Sequence, residues 1–256
     1  VSQERLHKEL CGLLVGRDAV RVMDEFFDVL CVILPELAPL RGFEQYNPHH
    51  RSDVWQHTLC VVEGVPAQEP LRLAALLHDV AKPDTFYFDK NLVGHFPGHD
   101  VAGAAVAERI LKRLRCDSRT VREVTELIRQ HMRPLQPVTE RSMRRLLAAV
   151  GPEQARRLLI LRQADRMGKG TEDETALRAQ VAQAEALLDA LLAEDACFSL
   201  RQLAVTGRDL IALGIAPGKR LGRILDALLQ AVIAGTLPNE RVALCAAACD
   251  FAQTIR

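Results

Sequence analysis

Residues 73–83 read LAALLHDVAKP, an apolar helical run that ends in a histidine, an aspartate and a lysine before a proline. A helix this apolar packs in a protein core, so it would carry His78 and Asp79 into that core. Burying such a pair without compensation costs on the order of several kcal/mol. A bound cation is the obvious compensation, and the stretch therefore predicts a metal centre inside a helical protein.

The rest of the chain has the same helical character. Aliphatic residues recur at helical spacing nearly throughout, aromatic residues make up 4% of the chain, and no segment sustains alternation of β-branched residues. We therefore predict an all-α helical bundle with a small C-terminal helical appendage. Its predicted divisions are an N-terminal helical neck (1–50), a metal-binding domain (51–195) and a C-terminal helical body (196–256).

Proline and glycine predict where several elements end. One helix is expected over 20–34, where Pro35 ends it. Another runs from Pro70, a favourable first-turn residue, to a break at Lys82. The glycines and prolines within 84–98 indicate a loop or a short ribbon.

Two further polar residues lie in predicted helices and are candidate partners of His78 and Asp79. His57 lies inside a helix near 53–64, and Asp165 closes a helix near 153–165. Helices that pack side by side can bring these four side chains to one cation. Imidazole and carboxylate together suit manganese, iron, cobalt, nickel or magnesium. Taken singly, each residue could instead be a hydrogen-bonded core residue or a helix cap.

Composition limits the class of protein. Equal numbers of basic and acidic residues, 33 of each, argue against coating nucleic acid by bulk charge, although a local basic face is compatible with them. The seven cysteines include no C-x-x-C pair, which favours free thiols over disulfides or a thiolate zinc knuckle. The chain has no membrane-length apolar run and no signal peptide at VSQERLHKEL. We therefore predict a cytoplasmic protein with no membrane partner.

Several motifs resemble those of HD-domain phosphohydrolases, a family of metal-dependent hydrolases. They are HTLCVV (57–62), LAALLHDVAKP (73–83), HFPGHDVAGA (95–104), IRQHM (128–132) and QADRMGKG (163–170). More narrowly, the chain resembles the HD-bearing region of bacterial CCA-adding tRNA nucleotidyltransferases and poly(A) polymerase relatives. Outside the site, the segments that resemble that group are ERLHKEL (4–10), LPEL (34–37), DVWQHTL (53–59), TGRDLIALGIAPGKRLGRIL (206–225) and NERVALCAAA (239–248). Of these, the TGRDLIALGIAPG stretch is specific enough to separate this group from other HD proteins.

The resemblance implies a set of site residues. The implied ligands of a first divalent metal are His57, His78, Asp79 and Asp165. His99 and His131 would bind a second ion, with Asp79 bridging the two, or would instead hydrogen-bond phosphate or cap helices. Asp79 and Lys82 would act in catalysis, Lys82 by holding a phosphate oxygen unless it is a solvated helix terminus. The implied substrate contacts are His95, Arg133 and Arg166. His49 and His50 are interpreted as surface residues.

The implied function is that of an enzyme, with alternatives. The first hypothesis is a divalent-metal-dependent phosphomonoesterase or 2′,3′-cyclic phosphodiesterase acting on nucleotides or RNA 3′ ends. The nucleotidyltransferase head of the tRNA enzymes, with its glycine turn and paired aspartates, finds no match, and GRDAVRVMD (16–24) lacks that turn. No nucleotidyltransferase activity is therefore expected from this chain alone. The alternatives are a tRNA-binding body with a vestigial hydrolase site, and a hydrolase of diadenosine polyphosphates or deoxynucleotide triphosphates.

Two groups of basic residues are candidate RNA contacts. The first could be an RNA-facing edge or simply a solvated helical face: Arg141, Arg144, Arg145, Arg156 and Arg157. The second is implied by the resemblance to contact RNA backbone: Arg208, Lys219, Arg220 and Arg223. The sequence leaves open the physiological substrate, the identity and number of the metals, the oligomeric state, and whether a nucleotidyltransferase head precedes Val1.

Overall fold

The computed structural model describes residues 2–48, 51–194 and 196–254, and the predicted surface residues His49 and His50 lie outside these ranges. Regular structure in the described residues is almost entirely helical, which confirms the predicted all-α fold. The helices are α1 (Gln3–Leu14), α2 (Ala19–Glu25), α3 (Phe27–Ile33), α4 (Val54–Gly64), α5 (Glu69–Leu77), α6 (Lys82–Thr85), α7 (His99–Arg113), α8 (Ser118–Gln130), α9 (Glu140–Gly168), α10 (Glu174–Ala193), α11 (Gly207–Ala212), α12 (Lys219–Ile233) and α13 (Arg241–Thr254).

A short antiparallel ribbon interrupts the helices, as predicted for residues 84–98. Strand β1 (Tyr87–Phe88) pairs with β2 (Gly94–His95). The backbone N–H of Gly94 donates to the carbonyl of Tyr46 at 2.7 Å. A Cβ atom at Gly94 would overlap the carbonyl oxygen of Gln45, so this close approach requires glycine. The ribbon is thereby held against residues 45–46.

The chain forms two compact units. Unit 1 consists of Val1–Pro134 and Arg156–Val181, and unit 2 of Leu135–Ala155 and Ala182–Arg256. The chain re-enters unit 1 at Arg156, within helix α9. Helix α9 is kinked at Gly151, which has a positive φ of 76° that glycine adopts readily. The predicted divisions at 50/51 and 195/196 stay a prediction.

Two predicted helix boundaries are wrong. The helix expected over 20–34 is two helices, because Phe26 leaves helical geometry between α2 and α3 (φ −108°, ψ 33°). The helix expected to run from Pro70 to Lys82 ends at Leu77, with His78 as its C-cap. The chain then turns, and Lys82 begins α6. This turn directs Asp79 inward, and the apolar residues Val80 and Ala81 that follow it explain why the helix was expected to continue.

The two units have different cores. In unit 1 the side chain of Trp55 is fully buried, and its ring packs on Phe27 with centroids 4.5 Å apart. In unit 2 the core is an apolar cluster that includes Leu210, Leu228 and Leu244 of helices α11–α13. Among the described residues, every buried polar or charged side chain belongs to unit 1: Gln45, His57, Thr58, His78, Asp79, Lys82, His99, Thr125, His131 and Asp165.

No helix in the described ranges combines the length and the apolar composition that a membrane span requires.

Candidate functional site

The four predicted ligands of the first metal meet in the core of unit 1. The Nε2 atom of His57, on α4, lies 3.1 Å from Oδ1 of Asp165, on α9. His78, at the end of α5, brings its Nε2 within 3.3 Å of the same His57 atom and 3.1 Å of Asp79 Oδ2. The side chains of both histidines are fully buried. Residues more than one hundred positions apart in the chain therefore share one small space.

His99 and His131 adjoin this group. His99 is the first residue of α7 and His131 caps α8, and their Nε2 atoms lie 3.2 Å apart. Oδ1 of Asp79 is 3.4 Å from Nε2 of His99 and 4.0 Å from that of His131. Asp79 thus presents one oxygen to each pair of histidines. We call these six residues the His–Asp centre: His57, His78, Asp79, His99, His131 and Asp165.

Hydrogen bonding sets the tautomers of His99 and His131. Nδ1 of His99 lies 2.7 Å from the carbonyl oxygen of Phe96, and Nδ1 of His131 lies 2.6 Å from that of Ile128. Because a carbonyl oxygen only accepts, each Nδ1 carries the hydrogen. In the neutral rings both Nε2 atoms then present lone pairs to each other. Burial, reinforced by the positive charge of His78, lowers the pKa of His131 to about 4, so protonating that ring is an unfavourable way to relieve the conflict.

A cation shared by the facing nitrogens would remove the repulsion between their lone pairs. Among the described residues, His57, His78 and Asp79 form one group that could hold a metal ion, and Asp79, His99 and His131 form another. Within each group the ligand atoms lie within 4.8 Å of one another. The donor set of imidazoles and carboxylates is the one that divalent transition metals prefer. The side chains present therefore fit a divalent metal.

Asp79 is held in its charged form. Burial opposes ionisation of Asp79, but the charges of His78 and Lys82 outweigh it, so the pKa lies well below the usual value. Nζ of Lys82 approaches Oδ2 to 2.7 Å, yet this buried oxygen has no partner with hydrogen-bond geometry. The same Asp79 contacts raise the pKa of His78 against the opposing effect of its burial. A buried, negatively charged carboxylate oxygen that accepts no hydrogen bond is suited to bind a metal ion.

Asp165 is also an anion. Burial opposes its charge, but a hydrogen bond from His57 and the charge of Lys169 lower its pKa well below the usual value. Nζ of Lys169 lies 3.1 Å from Oδ2 of Asp165. Lys169 was not predicted, although its position one helical turn after Asp165 was a usable signal. The centre therefore contains two buried carboxylates, each paired with a lysine.

A cleft of about 750 Å³ in unit 1 opens onto the centre. Its lining includes Asp79, Lys82 and His99, and the predicted substrate contact His95. His95 is turned toward Asp89, with Nε2 3.0 Å from the Oδ2 atom. The cleft thus gives solvent access to the Asp79 side of the centre.

The other two predicted substrate contacts are not among the residues that line this cleft. Arg166 is paired with Glu172, and it also donates to Gln180 at 3.1 Å. Arg133 donates to Oε1 of Gln130 at 3.3 Å. The sequence did not predict Gln45, whose Oε1 accepts from Lys82 Nζ at 2.8 Å. Gln45 lies in an irregular segment where periodicity offers no signal.

The first basic group is divided between the units. Arg141, Arg144 and Arg145 belong to unit 2, whereas Arg156 and Arg157 belong to unit 1. Arg157 is paired with Glu123 at 2.9 Å. Arg144 is paired with Glu140 at 3.5 Å and lines a cavity of about 660 Å³ in unit 2. Pairing with carboxylates thus offsets part of this group's charge.

The second basic group lies at the starts of α11 and α12 in unit 2, and we call it the basic edge: Arg208, Lys219, Arg220 and Arg223. Thr206 caps α11, because Asp209 accepts from its backbone N–H at 2.7 Å and Thr206 and Asp209 form a capping box. A Cβ atom at Gly207 would lie 3.2 Å from Leu221 Cδ2, so the first residue of α11 packs closely on the first turn of α12. The two helix starts are therefore adjacent.

The chain matches a family model described as "tRNA nucleotidyltransferase domain 2 putative" over residues 101–248. It belongs to this tRNA nucleotidyltransferase family. The match extends from α7 of unit 1 through most of α13 of unit 2. It thus includes His131 and Asp165 of the His–Asp centre and all four residues of the basic edge.

Similar proteins agree with this family. The chain is 34% identical to a CC-adding tRNA nucleotidyltransferase of Thermus thermophilus, over 94% of this chain and 55% of the relative. It is also 34% identical to an A-adding tRNA nucleotidyltransferase of Deinococcus radiodurans, over 93% of this chain and 56% of the relative. A multifunctional CCA protein of Halorhodospira halophila is 36% identical over 50% of this chain and 32% of the relative. The chain spans little more than half the length of the first two.

These comparisons correct one prediction. The chain was expected to be an HD phosphohydrolase with no nucleotidyltransferase activity of its own, and the assignment to HD phosphohydrolases is wrong, because the relatives are tRNA nucleotidyltransferases and the chain belongs to their family. The physical reason is that a ligand set reports which ion can bind and not which reaction follows. The predicted similarity to the helical body of CCA-adding enzymes is confirmed.

Proposed function

We propose that this chain is the tRNA-binding helical body of a nucleotidyltransferase that adds nucleotides to tRNA. The observation that supports this proposal is the similarity to CC-adding and A-adding enzymes over 93–94% of the chain. The similarity covers nearly the whole chain and therefore extends over both units. The function supported here is therefore recognition of the tRNA on which such an enzyme acts.

The basic edge is the surface that we propose contacts the tRNA backbone. Arg208, Lys219 and Arg223 are exposed, and none has a carboxylate within ion-pairing distance among the described residues. Arg220 donates to the carbonyl of Ala252. The N-terminus of α12 adds the positive end of a helix dipole to these charges. Phosphate groups are the natural partners of such a surface, and they supply most sequence-independent affinity for nucleic acid.

A charge-reversal experiment tests this proposal. In Arg208→Glu/Arg223→Glu we expect the Kd for tRNA to rise on the order of tenfold or more, and the dependence of log K on log salt to flatten by about one to two. The matched control is Arg21→Glu, since Arg21 is exposed on α2 and already paired with Glu25 at 3.0 Å. Unchanged affinity and salt dependence in the double variant would remove the basic edge from the interface. Failure of the unaltered chain to bind tRNA above a random RNA would refute the function.

We also propose that the His–Asp centre binds divalent cations. His57, His78, Asp79 and Asp165 would hold one ion, and Asp79, His99 and His131 a second. The support is the pair of facing imidazole nitrogens and Oδ2 of Asp79, a buried oxygen that has no partner with hydrogen-bond geometry. When bound, the ions would supply positive charge that offsets the buried carboxylates. The side chains themselves would fix the ends of α5 and α8 against α4, α7 and α9.

Metal content and thermal stability together test the centre. After chelation, protein reloaded with manganese, cobalt or nickel is expected to retain metal through desalting and to show a raised Tm. Asp79→Asn should lose both effects, whereas the control Asp84→Asn alters an exposed carboxylate on α6 and should retain them. If the two variants behave alike, or if the unaltered protein retains no metal, the centre is a hydrogen-bonded core cluster.

A further inference from the structure

A second polar cluster in unit 1 shares no residue with the His–Asp centre. His7 and Cys11 lie four residues apart on α1, so their side chains share one helix face. Glu69 is the first residue of α5, which packs against α1. We propose that His7, Cys11 and Glu69, the α1–α5 cluster, form a separate site for a zinc-like transition metal that ties α1 to α5.

The geometry suits a shared ion. Nε2 of His7 lies 3.2 Å from Oε1 of Glu69, and the ligand atoms of all three residues lie within 4.8 Å of one another. The side chain of His7 is 20% exposed and that of Glu69 is 39% exposed, so an ion can reach them from solvent. Cys11 is half-buried. Three donors on two helices at this spacing leave a further coordination position for water or another ligand.

The donor chemistry selects the class of metal. A thiolate beside an imidazole and a carboxylate suits zinc or cobalt, whereas magnesium and calcium prefer oxygen ligands alone. The His–Asp centre contains no thiol, so the two sites differ in the ions they should select. This difference also gives them different spectroscopic signatures.

The thiol of Cys11 would have to lose its proton to bind a metal ion. Burial, together with the charge of Glu69 and a hydrogen bond to it, raises the pKa of Cys11 to about 12. The thiol therefore holds its proton while it faces Glu69 alone. Binding of a divalent cation would release that proton to solvent and place positive charge between the resulting thiolate and the Glu69 carboxylate.

A second thiol, that of Cys116, lies close enough to Glu69 and Cys11 to interact with them electrostatically. Burial and the charge of Glu69 raise the pKa of Cys116 to about 11, and Cys116 in turn contributes to the raised pKa of Cys11. Cys116 follows α7, on a part of the chain remote in sequence from α1 and α5. C-x-x-C spacing does not mark this cluster, because its donors come from separate elements and its α1 pair has H-x₃-C spacing.

Cobalt substitution tests the site. Under reducing conditions, the metal-free protein titrated with Co²⁺ is expected to develop a near-ultraviolet thiolate-to-cobalt charge-transfer band, which ligation by histidine and carboxylate alone does not produce. Cys11→Ser should abolish the band. The matched control Cys31→Ser changes another half-buried helical thiol of unit 1 and should retain it. His7→Gln and Glu69→Gln should weaken cobalt binding without altering the helical signal in circular dichroism.

Zinc stabilisation supplies a second measurement that requires no coloured ion. Zn²⁺ is expected to raise the Tm of Asp79→Asn, in which the His–Asp centre is impaired, but not the Tm of Asp79→Asn/Cys11→Ser. Absence of a charge-transfer band in the unaltered protein, or its persistence in Cys11→Ser, would overturn the proposal. In that case the α1–α5 cluster is a hydrogen-bonded polar contact between two helices.

Discussion

The two units bury different kinds of side chain. Unit 1 encloses histidines, carboxylates and a lysine, whereas the cluster at the centre of unit 2 is built from leucine, isoleucine, valine, alanine and one cysteine. Burial of ionisable groups lowers stability unless each charge is met by another or by an ion. The difference separates the two proposed sites. The proposed metal centre lies inside unit 1, whereas the proposed tRNA contacts lie on the surface of unit 2.

The largest effect is expected from removing the charge that organises the core of unit 1. In metal-free protein, Asp79→Ala should lower the free energy of unfolding by about 3–5 kcal/mol, because it leaves the charges of Lys82 and His78 buried without their partner. Trp55 is the only tryptophan in the chain, so its fluorescence during urea unfolding reports on unit 1. Asp84→Ala is the control. A loss below about 1 kcal/mol would mean that the charges of unit 1 are solvated and that the contrast with unit 2 is false.

The corresponding change in unit 2 removes apolar contact alone. Leu228→Ala should cost about 3 kcal/mol, since Leu228 is fully buried in the apolar cluster and its truncation leaves a cavity. Urea unfolding followed by circular dichroism measures it. Val242→Ala on α13 is the control, because Val242 is 83% exposed and its truncation should change stability by less than about 0.5 kcal/mol. Equal losses in the two variants would contradict the assignment of this core.

The third prediction concerns steric overlap at a glycine. Gly94→Ala should lower stability by about 2 kcal/mol, because the new methyl group would overlap the carbonyl of Gln45 and come 2.7 Å from Phe86 Cε2. Gly222→Ala, inside α12, is the opposite case, since its Cβ would meet nothing within 4 Å. There alanine should stabilise the protein by up to about 1 kcal/mol. Thermal unfolding of both variants compares them, and a change of the same sign in both would refute the prediction.

The smallest effect is expected from a surface charge pair of unit 1. A hydrogen bond from Arg113 lowers the pKa of Glu36, against the opposing effect of burial. Because the folded-state pKa is depressed, the stabilisation is present above the unfolded value near 4.5 and is lost as pH falls through the lower folded value. The difference in the free energy of unfolding, measured by urea titration, between the unaltered protein and Glu36→Gln should be below about 1 kcal/mol at pH 6 and should vanish toward pH 3. A difference that grows on acidification would have the wrong sign.

The sequence predicted that His57, His78, Asp79 and Asp165 lie together because they are polar residues within or at the ends of apolar helices, where a polar side chain has few explanations. His99 and His131 were implied only by the resemblance to HD phosphohydrolases. It did not predict Gln45, which acts from an irregular segment, or the pairing of Arg166 with Glu172, which depends on how the chain turns after α9. The break at Phe26 was missed because the apolar stripe runs through it unchanged. The reaction was misassigned because identical ligands serve proteins of different function.

The path of the chain has a consequence for how such a protein can be inherited. The backbone passes between the units three times, at 134/135, 155/156 and 181/182. No single cut separates one whole unit from the other, so a recombination event with one breakpoint in this region leaves at least one unit incomplete. The two units are therefore expected to be inherited together, and neither is expected to occur alone as a domain in unrelated proteins.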